Sequence, residues 1–160
     1  MDFGADYDTL YYIRIQNNNS EIMKVTNASK TPISSLITTI LNSYAYKLLY
    51  QNNKLIVLST KNMNTTGIMS IIDPDDPSSP EKVNIPGGRT SFVTANDKYI
   101  LLRKKNSTLN VFNYSGFKVA TFGGLFYSCE LVNEWIITDQ GDGFLTQYNL
   151  DHVTGDAYQI

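Results

Sequence analysis

"NNKLIVLSTKNMNTTGIMSIIDPDDPSSPEKVNIPGG", residues 52–88, holds three apolar runs separated by polar connections and ends at a proline and two glycines. The runs "LIVLS", "GIMSIID" and "EKVNIPG" are short and rich in β-branched residues, which favour strands. A further run, "AYKLLY", comes just before Asn53-Lys54. The stretch therefore predicts a four-stranded antiparallel unit in the order strand, tight turn, strand, loop, strand, loop, strand.

The same order of runs recurs twice further along the chain. Asn96-Asp97-Lys98 separates "TSFVT" from "YILLR", and Asn133-Glu134 separates "YSCELV" from "WIITD". Third and fourth runs follow in both copies: "TLNVFNY" and "FKVATFGG" in one, "GFLTQYNL" and "GDAYQI" in the other. We therefore predict that Asn53, Asp97 and Asn133 lie at or next to tight turns that join antiparallel strands.

A further copy precedes the first quoted stretch. "TLYYIRI", "SEIMKVT" and "PISSLITTI" correspond to the second, third and fourth strands of the unit. Only "MDFGADYD" comes before them, so we expect this copy to lack its first strand. The segment "SSLITTILNSYAYKLL" has mixed apolar spacing, but its threonines and isoleucines favour strand over helix.

The copies divide the chain into units 1–41, 42–88, 89–124 and 125–160, a period of roughly 36 to 47 residues that is typical of propeller blades. "GIMSIIDPDDPSSPEKVNIPG" resembles the third-to-fourth-strand segment of β-propeller repeats with an aspartate-proline turn. "WIITDQGDGFLTQYNL" is similar to the hairpin of WD40-like and related blades. The Gly-His and Trp-Asp pairs of the WD40 signature are absent, so the resemblance names no particular propeller family.

The resemblance implies an all-β fold: one β-propeller domain of about four blades, each a four-stranded antiparallel meander. A β-sandwich also contains many short strands, but it does not require the same order of short and long loops in every unit. Rings generally need about four to eight blades. "GDAYQI" serves the last unit and cannot supply the strand that the first unit lacks. We therefore expect an open, partial ring, completed by another copy, a different subunit or further residues.

Composition restricts the classes of partner. The net charge of −2 and the interspersed acids and bases predict neither nucleic-acid nor membrane binding. Cys129 is the single cysteine, so no internal disulfide forms, and its apolar surroundings predict a buried small hydrophobe. The start of the chain has no signal-peptide character and no apolar run reaches the roughly 20 residues of a membrane span. We expect a cytoplasmic protein.

Two acidic clusters are candidate sites. Asp73, Asp75 and Asp76 lie within "DPDDPSSP", where carboxylates offer ligands to a hard cation but the prolines favour an ordered turn. "DQGDG", residues 139–143, resembles the start of a calcium loop, yet Leu150 stands where its last glutamate is needed. His152, the only histidine, falls in a predicted loop. We predict turns at both clusters, and no catalytic residue, metal or cofactor.

The function class follows from the architecture. We predict a non-catalytic scaffold or protein-interaction module within a larger propeller or complex, whose partner is a protein or another copy. The alternative is the structural portion of a propeller-fold hydrolase or other enzyme, which needs inward-pointing acids or histidines at equivalent blade positions. Alternation sends consecutive residues of "LLRKKNS" to opposite faces, so they form no flat basic patch. Candidate partner contacts are the charged residues Arg89, Arg103, Lys104, Lys105, Asp75 and Asp76.

Overall fold

The structure, a computed structural model, describes residues 2–3, 8–28, 30–61, 67–86, 90–104, 108–124, 126–139, 141 and 143–151, without the side chains of residues 3 and 91–93. These residues form fifteen β-strands, and no helix occurs among them. The prediction of an all-β fold is therefore confirmed. No helix in the described part of the chain is long and apolar enough to cross a membrane.

The strands assemble into four antiparallel sheets, and within each sheet the strands that follow one another in the chain pair with each other. The chain divides into two compact units, Met1–Arg89 and Thr90–Ile160. The first contains sheet A (β1–β4) and sheet B (β5–β8), and the second contains sheet C (β9–β12) and sheet D (β13–β15). The strands β1 to β15 span Asp2–Phe3, Leu10–Gln16, Asn19–Thr26, Ile33–Ile40, Tyr44–Gln51, Lys54–Thr60, Gly67–Ile72, Glu81–Ile85, Thr90–Ala95, Tyr99–Lys104, Thr108–Asn113, Lys118–Gly123, Ser128–Val132, Trp135–Asp139 and Leu145–Asn149.

Asparagine supplies the backbone conformations of the tight turns. Asn52 and Asn53 join β5 to β6 with φ values of 52° and 55°, the pattern of a type I′ turn. Asn133 has a φ of 53° between β13 and β14. Every non-glycine residue with positive φ in the described part is an asparagine, because its short side chain tolerates the left-handed region.

The predicted turn near Asp97 is built around a neighbouring side chain. The backbone N–H of Asn96 donates to the carbonyl of Tyr99 at 3.0 Å. The Asn96 side-chain oxygen accepts from the N–H groups of Lys98 and Tyr99, both at 2.9 Å. With the Asn53 and Asn133 turns, this confirms all three predicted hairpins.

The first predicted copy, residues 1–41, has the opening strand that we expected it to lack. β1 pairs with β2 through Asp2 opposite Tyr11 and Phe3 opposite Leu10. The Asp2 carboxylate also accepts a hydrogen bond from the backbone N–H of Tyr50 at 2.7 Å. That expectation was wrong, because a strand of two residues shows no recognisable apolar run. The predicted last strand, "GDAYQI", lies outside the described residues, and sheet D contains three described strands. None of the sheets closes into a ring within the described residues.

Each unit buries an apolar core between its two sheets. In the first unit, Ile22 of sheet A packs in one cluster with Leu55 and Val57 of sheet B, all 0% exposed. The rings of Tyr11 and Tyr50 stack there with centroids 5.0 Å apart. Burial of this apolar surface supplies the main driving force for sheet-on-sheet packing.

The buried hydroxyl of Ser20 links sheet A to sheet B through hydrogen bonds. Ser20 on β3 is 0% exposed. Its Oγ donates to the carbonyl of Ser43 and accepts from the N–H of Ala45, both at 2.7 Å. Ser43 donates in turn to the carbonyl of Thr60 at 3.2 Å. The chain therefore satisfies polar backbone groups at the start of β5 with a side chain from the neighbouring sheet.

In the second unit, Leu109 and Val111 of sheet C share a core cluster with Cys129 and Ile136 of sheet D. The Cys129 side chain is 3% exposed, and burial raises the pKa of its thiol. This confirms the prediction that Cys129 acts as a buried small hydrophobe.

Candidate functional site

The acidic cluster after β7 is an ordered turn. The Asp73 carboxylate accepts from Lys54 Nζ at 2.7 Å and from the N–H of Asp75 at 3.0 Å. The hydrogen bond from Lys54 lowers the pKa of Asp73, and the Asp75 N–H lowers it further. Asp76 accepts from the Ser78 hydroxyl at 2.7 Å. These bonds support the turn prediction, and the described residues contain no group of three acids, histidines or cysteines placed to hold a metal.

The two described basic candidates, Arg103 and Lys104, do not share one face. Arg103 Nη1 donates to the carbonyls of Phe126 and Tyr127 at 2.9 Å and 2.6 Å, so it fastens the segment before β13. Lys104 is half-buried at the end of β10 and follows Arg103 directly, which places the two side chains on opposite faces. Arg89 and Lys105 lie outside the described residues. Arg103 therefore makes hydrogen bonds within the chain, and its role as a partner contact stays a prediction.

Asp139, Gly141 and Gly143 of the "DQGDG" segment lie at the connection between β14 and β15, where we predicted a turn. The Asp139 carboxylate accepts from the N–H of Gly141 at 2.7 Å, and Gly141 and Gly143 have φ values of 80° and 87°. Asp142 and His152, the other candidates in this region, lie outside the described residues.

The two faces of sheet D differ in exposure. Cys129, Ile136 and Tyr148 point toward the core and are 3%, 0% and 8% exposed. Alternation places their neighbours on the other side, which we call the sheet D open face. Its nine residues are Ser128, Glu130, Val132, Trp135, Ile137, Asp139, Leu145, Gln147 and Asn149.

Four large apolar side chains lie on the sheet D open face. Val132 and Leu145 are 50% and 66% exposed, and Trp135 and Ile137 are half-buried. Val132 is directly opposite Trp135 in the β13–β14 pairing. Clustered exposed apolar side chains, especially with tryptophan, are characteristic of surfaces that bind another macromolecule. This face is the candidate functional site.

Next to this face, an exposed tyrosine is held in a defined position. Tyr127 is 68% exposed, yet its N–H donates to the Asp139 carbonyl at 2.8 Å and its carbonyl accepts from Arg103. Its ring lies against Gly141, where an added Cβ would collide with ring carbons Cε2 and Cδ2. Phe144, in the same β14–β15 connection, is 75% exposed. A fixed, exposed aromatic loses little conformational entropy on binding.

Sheet A has a comparable surface on the side turned away from sheet B, which we call the sheet A open face. Its described side chains include five apolar ones: Leu10, Tyr12, Met23, Val25 and Leu36. Leu36 is 52% exposed, Met23 is buried, and the others are half-buried. The Arg14 guanidinium donates to Glu21 at 2.6 Å across β2 and β3, and the Tyr12 hydroxyl lies 3.0 Å from that of Ser34.

Sequence reasoning chose charged residues as partner contacts and missed both apolar faces. A partial signal was available in the strand sequences. "KLIVLST" contains four consecutive apolar residues, from Leu55 to Leu58, whereas "LTQYN" contains two apolar residues separated by polar ones. A continuous apolar run is typical of a strand that is buried on both faces.

No family model matches the chain, and no curated protein matches it. Among solved structures, the chain is similar to the crystal structure of the uncharacterized protein lmo1340 from Listeria monocytogenes EGD-e, with a TM-score of 0.68 and 10% sequence identity. The match covers 96% of this chain and 50% of that one. This likeness concerns the fold alone, and the chain spans half the length of the structure it matches.

Proposed function

We propose that this chain is a non-catalytic protein-interaction module of the β-propeller type, which docks another β-sheet through the sheet D open face. The observation that carries the proposal is the exposure of Val132 and Leu145 beside Trp135 and Ile137 on one sheet face. Removing such apolar surface from water contributes about 25 cal/mol per Å² before the costs of association are subtracted.

The arrangement of polar groups on this face fits an interface. Glu130, Gln147 and Asn149 lie among the apolar side chains of the same face, and Ser128 and Asp139 lie at its end. Stable interfaces combine an apolar centre containing aromatic residues with polar groups that hydrogen-bond to the partner or to water. The face therefore has the composition of a docking surface.

The chain itself shows what kind of structure fits such a face. Sheet A packs on sheet B, and sheet C on sheet D, through alternate apolar side chains of each strand. Two sheets that pack in this way lie about 10 Å apart and interdigitate their inward residues. The sheet D open face repeats that alternation, so a further sheet is the partner that its surface favours.

The proposal is tested by placing a photo-crosslinking amino acid at Gln147, in the middle of the sheet D open face, in cells that produce the protein. We expect a light-dependent adduct with a polypeptide, and we expect Leu145→Glu to reduce it at least tenfold. The reason is that a carboxylate buried in an apolar contact costs several kcal/mol.

The matched control carries the same photo-crosslinker at Lys118, an exposed residue on β12 of sheet C. Adducts shared by the two positions report random collisions. If Gln147 gives no adduct beyond those of Lys118, or if its adducts persist undiminished in Leu145→Glu, the sheet D open face is not a docking surface.

A further inference from the structure

We infer that β4 of sheet A pairs in the antiparallel direction with β4 of a second copy of this chain, so that the two A sheets join edge to edge. This contact uses an edge of sheet A. It is separate from the sheet D open face and goes beyond the function proposed for that face.

β4 forms one edge of sheet A in the described part of the chain. It pairs with β3 on one side, and no described strand pairs with it on the other. Its first four residues are exposed, including Ile33 at 58% and Leu36 at 52%. The N–H and C=O groups along an exposed edge can pair with a strand of another chain, which extends the sheet.

β4 lacks the charges and prolines that commonly block such pairing. Its sequence, "ISSLITTI", has eight residues, and none of them is charged or a proline. The fourth strands of the next two sheets are charged: β8 contains Glu81 and Lys82, and β12 contains Lys118. Charged side chains on an edge strand disfavour edge-to-edge pairing. Of these three fourth strands, β4 is therefore the one best suited to pair with another chain.

A bulge at Ile37 determines which side chains of β4 share a face. Leu36 pairs with Met23 and Thr38 pairs with Ile22, so Ile37 is an extra residue between them. Ile22 points toward sheet B, and Met23 lies on the sheet A open face. The pairing with β3 places Ile33, Ser35, Ile37, Thr38 and Ile40 on the side of sheet B, and Ser34, Leu36 and Thr39 on the open face.

With these faces, β4 is complementary to its own reversed sequence. In an antiparallel pair centred on Leu36, this residue is opposite Leu36 of the other copy. Outward from the centre, a serine is opposite a threonine twice and an isoleucine is opposite an isoleucine once: Ser35 with Thr38, Ser34 with Thr39, and Ile33 with Ile40. Both members of each pair lie on the same face, as pairing within one sheet requires. Without the extra residue at Ile37, they would lie on opposite faces.

This complementarity is the reason for choosing a second copy as the partner. Opposite β-branched apolar residues and opposite hydroxyl residues both stabilise antiparallel pairs. A two-fold axis at Leu36 gives each copy the same contacts, so the contact is complete after two chains. Pairing with a charged edge such as β8 would instead place Glu81 and Lys82 beside uncharged side chains.

The first experiment measures the native mass of the purified chain by light scattering over a range of concentrations. We expect twice the 18.0 kDa of one chain at high concentration. Leu36→Lys is expected to give the mass of a single chain, because two ammonium groups then meet at the axis. Ile15→Lys is the matched control, since Ile15 is 48% exposed on β2, which β3 separates from β4. It is expected to keep the doubled mass.

The second experiment tests the register by oxidation of introduced cysteines, while the native Cys129 is buried. Leu36→Cys should give a disulfide-linked dimer, because directly opposite Cα atoms lie about 4.5–5.5 Å apart, within the reach of a disulfide. Ser34→Cys alone should not cross-link, since the two copies of this residue lie several positions apart. A mixture of Ser34→Cys and Thr39→Cys chains should cross-link.

Several results would overturn this contact. A wild-type mass of 18.0 kDa at all concentrations would show that the copies do not pair. A doubled mass that Leu36→Lys leaves unchanged would show that they meet elsewhere, as would its loss in Ile15→Lys. Leu145→Glu should keep the doubled mass, and its loss in this variant alone would assign the contact to the sheet D open face. Cross-linking of Ser34→Cys as efficient as that of Leu36→Cys would refute the register.

Discussion

Sheets B and D follow the same strand order but are buried differently. Six consecutive residues of β6, from Leu55 to Thr60, are buried, so both faces of sheet B are removed from solvent. In β14 only Ile136 and Thr138 are buried, and Trp135, Ile137 and Asp139 are half-buried. The comparison shows that burial along a strand reports how many of its faces are covered: burial is continuous where both faces are covered and alternates where one is covered.

The largest expected effect comes from a cavity on the second buried face of sheet B. Ile56 is 0% exposed and points away from the Leu55–Val57 face. We expect Ile56→Ala to lower the free energy of unfolding by about 2–5 kcal/mol, measured by urea denaturation. Ile137→Ala on the sheet D open face is the matched control and should cost about 1 kcal/mol or less. Equal losses would break the comparison between the two sheets.

The next prediction concerns the hydrogen bonds that link sheet A to one covered face of sheet B. Ser20→Ala removes two buried hydrogen bonds and leaves the Ser43 carbonyl and the Ala45 N–H without this partner. We expect a loss of about 2–4 kcal/mol in unfolding free energy.

Ser59→Ala provides the control for this change. Ser59 is equally buried, but its hydroxyl bonds to no other described group. Its replacement should cost less than about 1 kcal/mol. A Ser59→Ala variant as unstable as Ser20→Ala would show that the hydrogen bonds of Ser20 are not what fastens the sheets.

A smaller effect is expected at the exposed end of sheet D. Gly141→Ala places a Cβ at positive φ and against the Tyr127 ring, and we expect a loss of about 1–3 kcal/mol. Gly143→Ala has a similar φ of 87° but meets no atom within 4 Å, so it should cost about 1 kcal/mol. The melting temperatures of the two variants measure the extra cost of displacing Tyr127. Identical melting temperatures for the two variants would show that the Tyr127 ring is not held against Gly141.

The smallest effect concerns the charged turn of sheet B. The folded-state pKa of Asp73 is lowered, chiefly by the hydrogen bond from Lys54, so its contribution to stability is present above the ordinary pKa of 3.8. It is lost as pH falls through the lower folded-state value. We expect Asp73→Asn to lower the melting temperature slightly at pH 7, and we expect the difference from the wild type to shrink as the pH falls below 3.8. If the difference in melting temperature between Asp73→Asn and the wild type increased as the pH fell, the prediction would be contradicted.

Local chemistry decided which parts of the fold could be predicted. Asn53 and Asn133 identified hairpins because few other residues tolerate their φ values. β1 was missed because its pairing depends on β2 rather than on its own two residues. The candidate site was missed for a related reason. Exposure of Leu145 depends on which sheet face is covered, and no residue within "LTQYN" specifies its neighbours in space.

Among the described strands, pairing occurs only between strands that follow one another in the chain, and this affects how the molecule folds. Each sheet is completed by short loop closures, which cost little chain entropy and favour rapid folding. During synthesis, sheet A has all its strands before β5 leaves the ribosome, and it offers Tyr11 and Ile22 as a template for sheet B. The most apolar strand, β6, is therefore made when a surface that covers one of its faces already exists, which shortens the time in which it can aggregate.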